Sequence, residues 1–216
     1  MNHQIKSKER VAAHGEVFTS EREVNAMLDL VKQETERIDS RFLEPACGDG
    51  NFLIEILRRK LAVCEGRVKA KQYTQLQYEQ AAVQSVSSIY GIELLTDNAE
   101  ACRKRLLDYF TQQYSALFKS KCTSECIESV KFLLSKNIIH GDALTYKRVD
   151  RPDEWIHICE WGFIGKGMVN RRDYEFSYLV GEGEPDDLFS DLPCETYAPV
   201  HFLKLSAEAY GEQLQS

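Results

Sequence analysis

The sequence has 216 residues, of which 43% are hydrophobic and 28% charged, as in an ordinary globular protein with room for one α/β domain. No apolar run reaches the roughly 18 residues of a membrane span, and no secretory signal is evident, so we expect a cytoplasmic protein without membrane contact. The net charge of −7 argues against a protein that grips nucleic acid alone. Seven scattered cysteines without a CxxC pair predict free thiols and no metal site.

Predicted helices and short predicted strands alternate along the first two thirds of the chain. Ser20 and Glu23 have the spacing of a capping box, which predicts that the first helix begins beside them. Each predicted strand is a short apolar run that ends in an acidic residue. In chain order we predict a helix over about 21–38, a strand at 41–45, helices from 51 and over 70–86, a strand at 88–93, a helix capped by Thr96 or Asp97 that reaches about 118, a helix over 124–135 and a strand within 137–144.

The pattern changes near Trp155. Two segments in which aromatic and polar residues alternate flank the turn Gly165-Lys166-Gly167, and this predicts an antiparallel hairpin. Residues 181–216 are predicted to be loop with a weak final helix.

Strands that alternate with helices favour right-handed crossovers and a parallel sheet that is covered on both faces. We therefore predict an α/β fold, with a mostly parallel sheet flanked by helices over residues 1–150. Residues 151–216 would form the hairpin and a C-terminal extension, which pack on the same domain or on a partner.

Three predicted strands end in acids, which are Glu44, Glu93 and Asp142, and Gly48 and Gly50 lie in the turn after the first strand. Ligands of open α/β sheets bind at the carboxyl ends of the strands. Glycine lets the backbone approach a ligand closely. The turn matches neither the dinucleotide-binding fingerprint nor a phosphate-binding Walker loop.

The strand-end acids suit the parts of a nucleoside cofactor. Glu93 can accept from two ribose hydroxyls, Asp142 can accept from an adenine amine, and Glu44 and Asp49 suit a positive centre. A ribose, an adenine and a positive centre together describe S-adenosylmethionine. One acid alone would more simply be a solvated strand end, whereas three at successive strand ends favour a cofactor site.

Four segments of the chain resemble the N-terminal half of adenine-specific DNA methyltransferases of bacterial restriction–modification systems, in the motif order of the gamma type. They are HGEVFTS (14–20), FLEPACGDGNF (42–52), YGIELLTDNA (90–99) and NIIHGDAL (137–144). The resemblance implies a Rossmann-like, S-adenosylmethionine-dependent fold, and it implies that the first segment and the glycine turn contact the methionine end of the cofactor. The cofactor-binding residues that it implies are Phe18, Thr19, Glu44, Ala46, Gly48, Glu93, Leu94 and Asp142. Ser20 departs from the family, which usually has proline there.

The catalytic segment of that family, Asn/Asp-Pro-Pro-aromatic, has no counterpart here, because the sequence contains no Pro-Pro pair. In the family this segment accepts from the amine of a flipped adenine and stacks on the base. The segment ICEW (158–161) offers an acid beside an aromatic residue but lacks the rigid prolines. The sequence also ends before the catalytic strand of the family would begin, so we expect no catalytic residue in it.

These observations predict the cofactor-binding subunit of a split adenine-specific DNA methyltransferase. A second polypeptide would carry the catalytic and DNA-recognition parts, so that contact with DNA would be indirect. The catalytic strand would pair beside the first strand, and the hairpin aromatics would lie at the interface: Trp155, Trp161, Phe163, Tyr174, Phe176 and Tyr178. Two alternatives stay open: a stand-alone S-adenosylmethionine-binding module without catalysis, and a small methyltransferase with a non-DNA substrate.

Overall fold

The computed structural model describes residues 19–181 and 192–212. The helices are α1 (Glu21–Asp29), α2 (Lys32–Thr35), α3 (Asn51–Lys69), α4 (Gln75–Ser87), α5 (Thr96–Phe118), α6 (Ser124–Asn137) and α7 (Phe176–Leu179). The strands are β1 (Phe42–Glu44), β2 (Ile89–Glu93), β3 (Ile138–Asp142), β4 (Lys147–Arg148), β5 (His157–Phe163), β6 (Met168–Glu175), β7 (Glu195–Thr196) and β8 (Val200–His201). In this part of the chain, no helix combines the length and apolar character of a membrane span.

The first sheet has the strand order β1-β2-β3-β4. β1, β2 and β3 are parallel, and β4 adds an antiparallel pair at the end of β3. Helices connect the three parallel strands, because a parallel pair needs a long crossover connection. The predicted α/β fold with a mostly parallel sheet is therefore confirmed.

The two faces of this sheet are covered by different layers. Gly91 faces α3, because a β-carbon on it would lie 2.7 Å from the sulfur of Cys47 and 2.9 Å from Leu53. Side chains alternate along a strand, and the neighbouring Tyr90 donates its hydroxyl proton to the carbonyl of Cys159 on β5 at 2.8 Å. The second face is covered by the second sheet together with the short α7, and not by helices alone as expected.

The second sheet is built on the predicted hairpin. Every residue of β5 pairs with β6 in antiparallel register, and β7 and β8 pair with β6. Trp161 joins this sheet to the main core, because its indole N–H donates to the side chain of Asn137 at 2.9 Å. Trp161 and Phe176 are buried inside this chain, and the interface between the hairpin and a partner stays a prediction. The two predicted parts of the chain, residues 1–150 and 151–216, both contribute to one apolar cluster. A domain boundary at residue 150 stays a prediction.

The predicted first helix is split. The capping box is confirmed, since the Ser20 hydroxyl accepts from the Glu23 backbone N–H and the Glu23 carboxylate accepts from that of Ser20. The single helix over 21–38 is wrong, because α1 and α2 are separated by a break at Leu30 and Val31. These two residues are 85% and 45% exposed. They gain no tertiary packing that would continue the helix through them.

β1 is the open edge of the first sheet. Among the described residues it pairs only with β2, and Leu43 is 42% exposed. The first strand is therefore only partly buried. The hairpin approaches this edge through the ion pair between Arg41 and Glu160, at 2.9 Å, and not by strand pairing.

Candidate functional site

The turn after β1 has a backbone conformation that favours glycine. Gly48 has a φ of +55° and Gly50 a φ of +90°, both in the left-handed region. A β-carbon on Gly48 would meet no atom within 4 Å, so the space in front of this residue is open. A β-carbon on Gly50 would lie 2.7 Å from the sulfur of Cys102, so Gly50 lets α5 approach closely. The turn leads into α3, whose first turn has no side-chain cap and no acidic residue.

Glu93 connects the end of β2 to the glycine turn. One carboxylate oxygen accepts from the Gly48 N–H at 2.8 Å, and the other accepts from the Leu95 N–H at 3.0 Å. Leu95 is the N-cap of α5, so the predicted cap by Thr96 or Asp97 is wrong. A carboxylate has about four acceptor positions. The oxygen that accepts from Leu95 also accepts from the side-chain amide of Asn98 at 3.4 Å. The oxygen that accepts from Gly48 therefore keeps capacity for a second donor, although the residue is only 7% exposed.

The end of β3 reaches the loop after β2 through His140. Its Nε2 lies 3.1 Å from the carbonyl oxygen of Leu94 and 3.2 Å from the hydroxyl of Thr96. Asp142 accepts from the Leu144 backbone N–H at 2.9 Å through one oxygen. The Leu94 residue is 47% exposed. The end of β3 therefore contacts the loop after β2, and the apolar side chain of Leu94 in this loop is accessible to a ligand.

The three strand-end acids lie in a diagonal row on one face of the sheet. Glu44 is level with Gly91, and Glu93 is level with His140, so Glu93 and Asp142 are each two residues further along than the preceding acid. Two residues advance about 6.6 Å along a strand and strands lie about 4.8 Å apart, so neighbouring acids have Cα atoms about 8 Å apart. This spacing suits an elongated ligand better than a compact ion.

Glu44 and Asp49, the two acids predicted to suit a positive centre, have different surroundings. Burial raises the pKa of the half-buried Glu44, and the backbone N–H of Ala46 partly opposes this shift. Within the described residues, no cation forms an ion pair with Glu44. Asp49 lies 3.4 Å from the guanidinium of Arg105 on α5. The charge of Asp49 is therefore already compensated within the chain.

Other predicted site residues have weaker structural support. Phe18 lies outside the described residues. Thr19 is half-buried and directly precedes the N-cap of α1, and no described hydrogen bond joins it to the strand ends. Ala46 is exposed within the glycine turn. The structure thus brings together Gly48, Glu93 and the loop at Leu94, and places Glu44, Ala46 and Asp142 along the same edge.

The acid and the aromatic residue of the ICEW segment lie at the opposite edge of the sheet. Glu160 pairs with Arg41, which directly precedes β1, and Trp161 binds Asn137, which directly precedes β3. The glycine turn lies at the carboxyl ends of these strands, so ICEW does not complete the site.

All seven cysteines are free, and the described ranges contain no cluster of three side chains that could hold a metal ion.

The chain is similar to a known protein family. Residues 18–181 match the family described as MmeI, DNA-methyltransferase domain. This range includes the glycine turn, the three strand-end acids and the hairpin. The chain belongs to that family. It is therefore a DNA methyltransferase domain of the restriction–modification type, whereas the finer motif order and the split organisation stay predictions. No curated protein and no solved structure shows a significant match.

Two residues at this edge were not predicted to bind or position a ligand. His140 lies two residues before Asp142, and alternation along a strand puts both side chains on one face, so the strand pattern contains the signal for it. Arg105 is 56 residues from Asp49 in sequence. Only the packing of α5 beside α3 brings these two together, and we find no sequence signal that marks Arg105.

Proposed function

We propose that this chain binds S-adenosylmethionine and forms the cofactor-binding part of an adenine-specific DNA methyltransferase. The observation that carries this proposal is the 2.8 Å hydrogen bond from the Gly48 N–H to Glu93. It joins an open glycine turn to the buried acid at the end of the next strand. Membership of the MmeI methyltransferase family supports the reaction class, and S-adenosylmethionine would supply the activated methyl group.

The residues at the strand ends fit the parts of this cofactor. The methionine end would lie over Gly48, where the space in front of the backbone is open. The remaining acceptor position of Glu93 would take a ribose hydroxyl. Adenine would contact the exposed Leu94, and the second carboxylate oxygen of Asp142 would accept from its amine. Glu44 would offer negative charge to the positive centre of the cofactor.

Calorimetry with S-adenosylhomocysteine, the demethylated product, tests cofactor binding. Glu93→Gln keeps the shape of the side chain but replaces one acceptor oxygen by a donor group. We expect it to weaken binding on the order of ten- to a hundredfold, because a hydrogen bond to a charged group contributes about 1.5–3 kcal/mol. Glu100→Gln is the matched control, because Glu100 is an exposed acid on α5 and should leave affinity unchanged. Absence of binding by the wild-type protein, or equal affinities in both variants, would contradict the proposal.

We further propose that the open edge of β1 receives the catalytic strand from a second polypeptide. Within the described residues, the outer side of β1 has no strand partner, and unpaired strand edges are normally covered. The half-exposed Leu43 would then be buried by the incoming strand. The partner would bring the Pro-Pro segment that this sequence lacks, and it would bring the contacts to DNA that a chain with a net charge of −7 suits poorly.

A methyl-transfer assay with labelled cofactor and DNA that contains adenine tests whether cofactor binding and catalysis lie on two polypeptides. The purified chain should transfer no methyl group alone, because the amine of the target base needs acceptors that draw on its protons. Addition of a polypeptide that carries an Asn/Asp-Pro-Pro-aromatic segment and a DNA-recognition domain should restore transfer. Robust methylation by the purified chain alone would refute the split arrangement but would leave the cofactor site intact.

A further inference from the structure

We propose that Arg105 is a positioning residue that holds the glycine turn and compensates the charge of Asp49, so that the carboxylate end of the cofactor can bind beside it. This inference rests on the proposed cofactor function. It adds a residue from α5 to a site otherwise formed by strand ends and the turn.

The contacts of Arg105 reach the turn at three acceptors. Its Nη1 lies 2.7 Å from the side-chain oxygen of Asn51, the first residue of α3. The same nitrogen lies 3.4 Å from the backbone carbonyl oxygen of Asp49 and 3.4 Å from its carboxylate. One guanidinium therefore contacts both the backbone of the turn and the start of the helix that follows it.

Arg105 differs from the other basic residues around it. It lines a surface groove of about 690 Å³ between α3 and α5, together with Lys104 and Arg58. Lys104 pairs with Asp108 on its own helix, and Arg58 pairs with Glu55 on its own helix. Of these three cations, Arg105 is the one that contacts the glycine turn. It can therefore affect the proposed cofactor site from beside it, without contacting the cofactor.

The electrostatic consequence concerns the amino-acid end of the cofactor. S-adenosylmethionine and its demethylated product both carry a carboxylate there. Without Arg105, the carboxylate of Asp49 would stand uncompensated in the turn over which that end is proposed to lie, and like charges repel. Arg105 and Asp49 have side chains that are 41% and 28% exposed. Solvent screening therefore keeps the expected effect modest.

The test compares two ligands that differ only in the amino-acid end. S-adenosylhomocysteine has this end, whereas 5′-methylthioadenosine keeps the adenosine and lacks the amino and carboxyl groups. We expect Arg105→Gln to weaken binding of S-adenosylhomocysteine about two- to fivefold in calorimetry, as an ion pair of this exposure allows. Binding of 5′-methylthioadenosine should change less than about twofold. Lys104→Gln, the matched control on the same helix, should change neither affinity.

A double variant separates charge compensation from a general collapse of the turn. In Asp49→Asn/Arg105→Gln the repelling carboxylate is gone, so much of the affinity for S-adenosylhomocysteine should return. Equal losses for both ligands in Arg105→Gln, no loss at all, or no recovery in the double variant would each overturn the inference. The wild-type titration is the separate test of the proposed function, because a wild-type protein that binds neither ligand refutes the cofactor site itself.

Discussion

Gly48 combines two features that a side chain would disturb independently. Its φ of +55° is unfavourable for a β-branched residue, and the open space in front of it is the space proposed for the cofactor. Gly165 in the hairpin turn has a φ of +91° and also has open space at its β-carbon position. It lies in the hairpin turn and not at the carboxyl ends of β1, β2 and β3. Substitutions at the two glycines therefore separate backbone strain from the loss of ligand space.

We therefore expect Gly48→Val and Gly165→Val to destabilise the fold by a similar amount, about 1–3 kcal/mol, because each forces a β-branched residue into a strained conformation. Only Gly48→Val should abolish binding of S-adenosylhomocysteine. Urea denaturation measures the first effect and calorimetry the second. A folded Gly48→Val protein with wild-type affinity would show that the cofactor lies elsewhere.

At the scale of elements, α3 carries a buried cation that fastens the segment before β1. Lys60 is fully buried, and its ammonium group donates to the carbonyl of Ile38 at 3.3 Å, to that of Ser40 and to the hydroxyl of Ser88 at 2.6 Å. Burial lowers the pKa of Lys60 to about 8, and the nearby Asp39 only partly opposes this. These contacts tie β1 and the start of β2 to α3.

The lowered pKa of Lys60 predicts a pH-dependent stability. Between about pH 8 and pH 10.5 the unfolded chain binds more protons than the folded one. The contribution of Lys60 to the free energy of unfolding therefore increases as the pH rises through this range, and it is lost as the pH falls through 8. The difference in the free energy of unfolding between wild type and Lys60→Met should change by about 3 kcal/mol in this window. Urea denaturation from pH 7 to 10.5 measures it. A constant difference would show that the pKa of Lys60 is not lowered.

At the scale of the whole molecule, a buried cation fastens the C-terminal segment to the second sheet. Arg171 is 3% exposed. Its Nε and one terminal nitrogen donate to Asp173 at 2.8 and 2.6 Å, and the other terminal nitrogen pairs with Glu212. The guanidinium carbon also lies 4.3 to 5.5 Å from the ring centres of three aromatic residues, Trp161, Tyr197 and Tyr210.

We expect Arg171→Met to destabilise the protein by about 3–5 kcal/mol, because it leaves the buried carboxylate of Asp173 without its partner. Arg172→Met is the matched control on the same strand, since Arg172 has a 48% exposed side chain and lies 3.8 Å from Glu160. That variant should lose less than about 1 kcal/mol. Thermal and urea denaturation compare the two, and equal losses would show that the buried ion pair does not fasten this segment.

Local sequence patterns predicted most elements of the first sheet and all three of its strand-end acids. The capping box at Ser20, the glycines of the turn, and the apolar runs that end in Glu93 and Asp142 act over a few residues. Short-range rules for caps, turns and alternation are sufficient for such features. The same patterns overestimated the first helix, because whether Leu30 is covered depends on packing partners that are distant in sequence.

The sequence by itself determined the motifs of the proposed cofactor site, because each is a short run of residues with its own conformational preference. Only the tertiary structure decided that the hairpin covers one face of the first sheet, that β1 is left open among the described residues, and that Arg105 meets Asp49. These features join segments far apart in the chain. They follow from how layers bury their apolar faces against each other, and no local pattern contains that information.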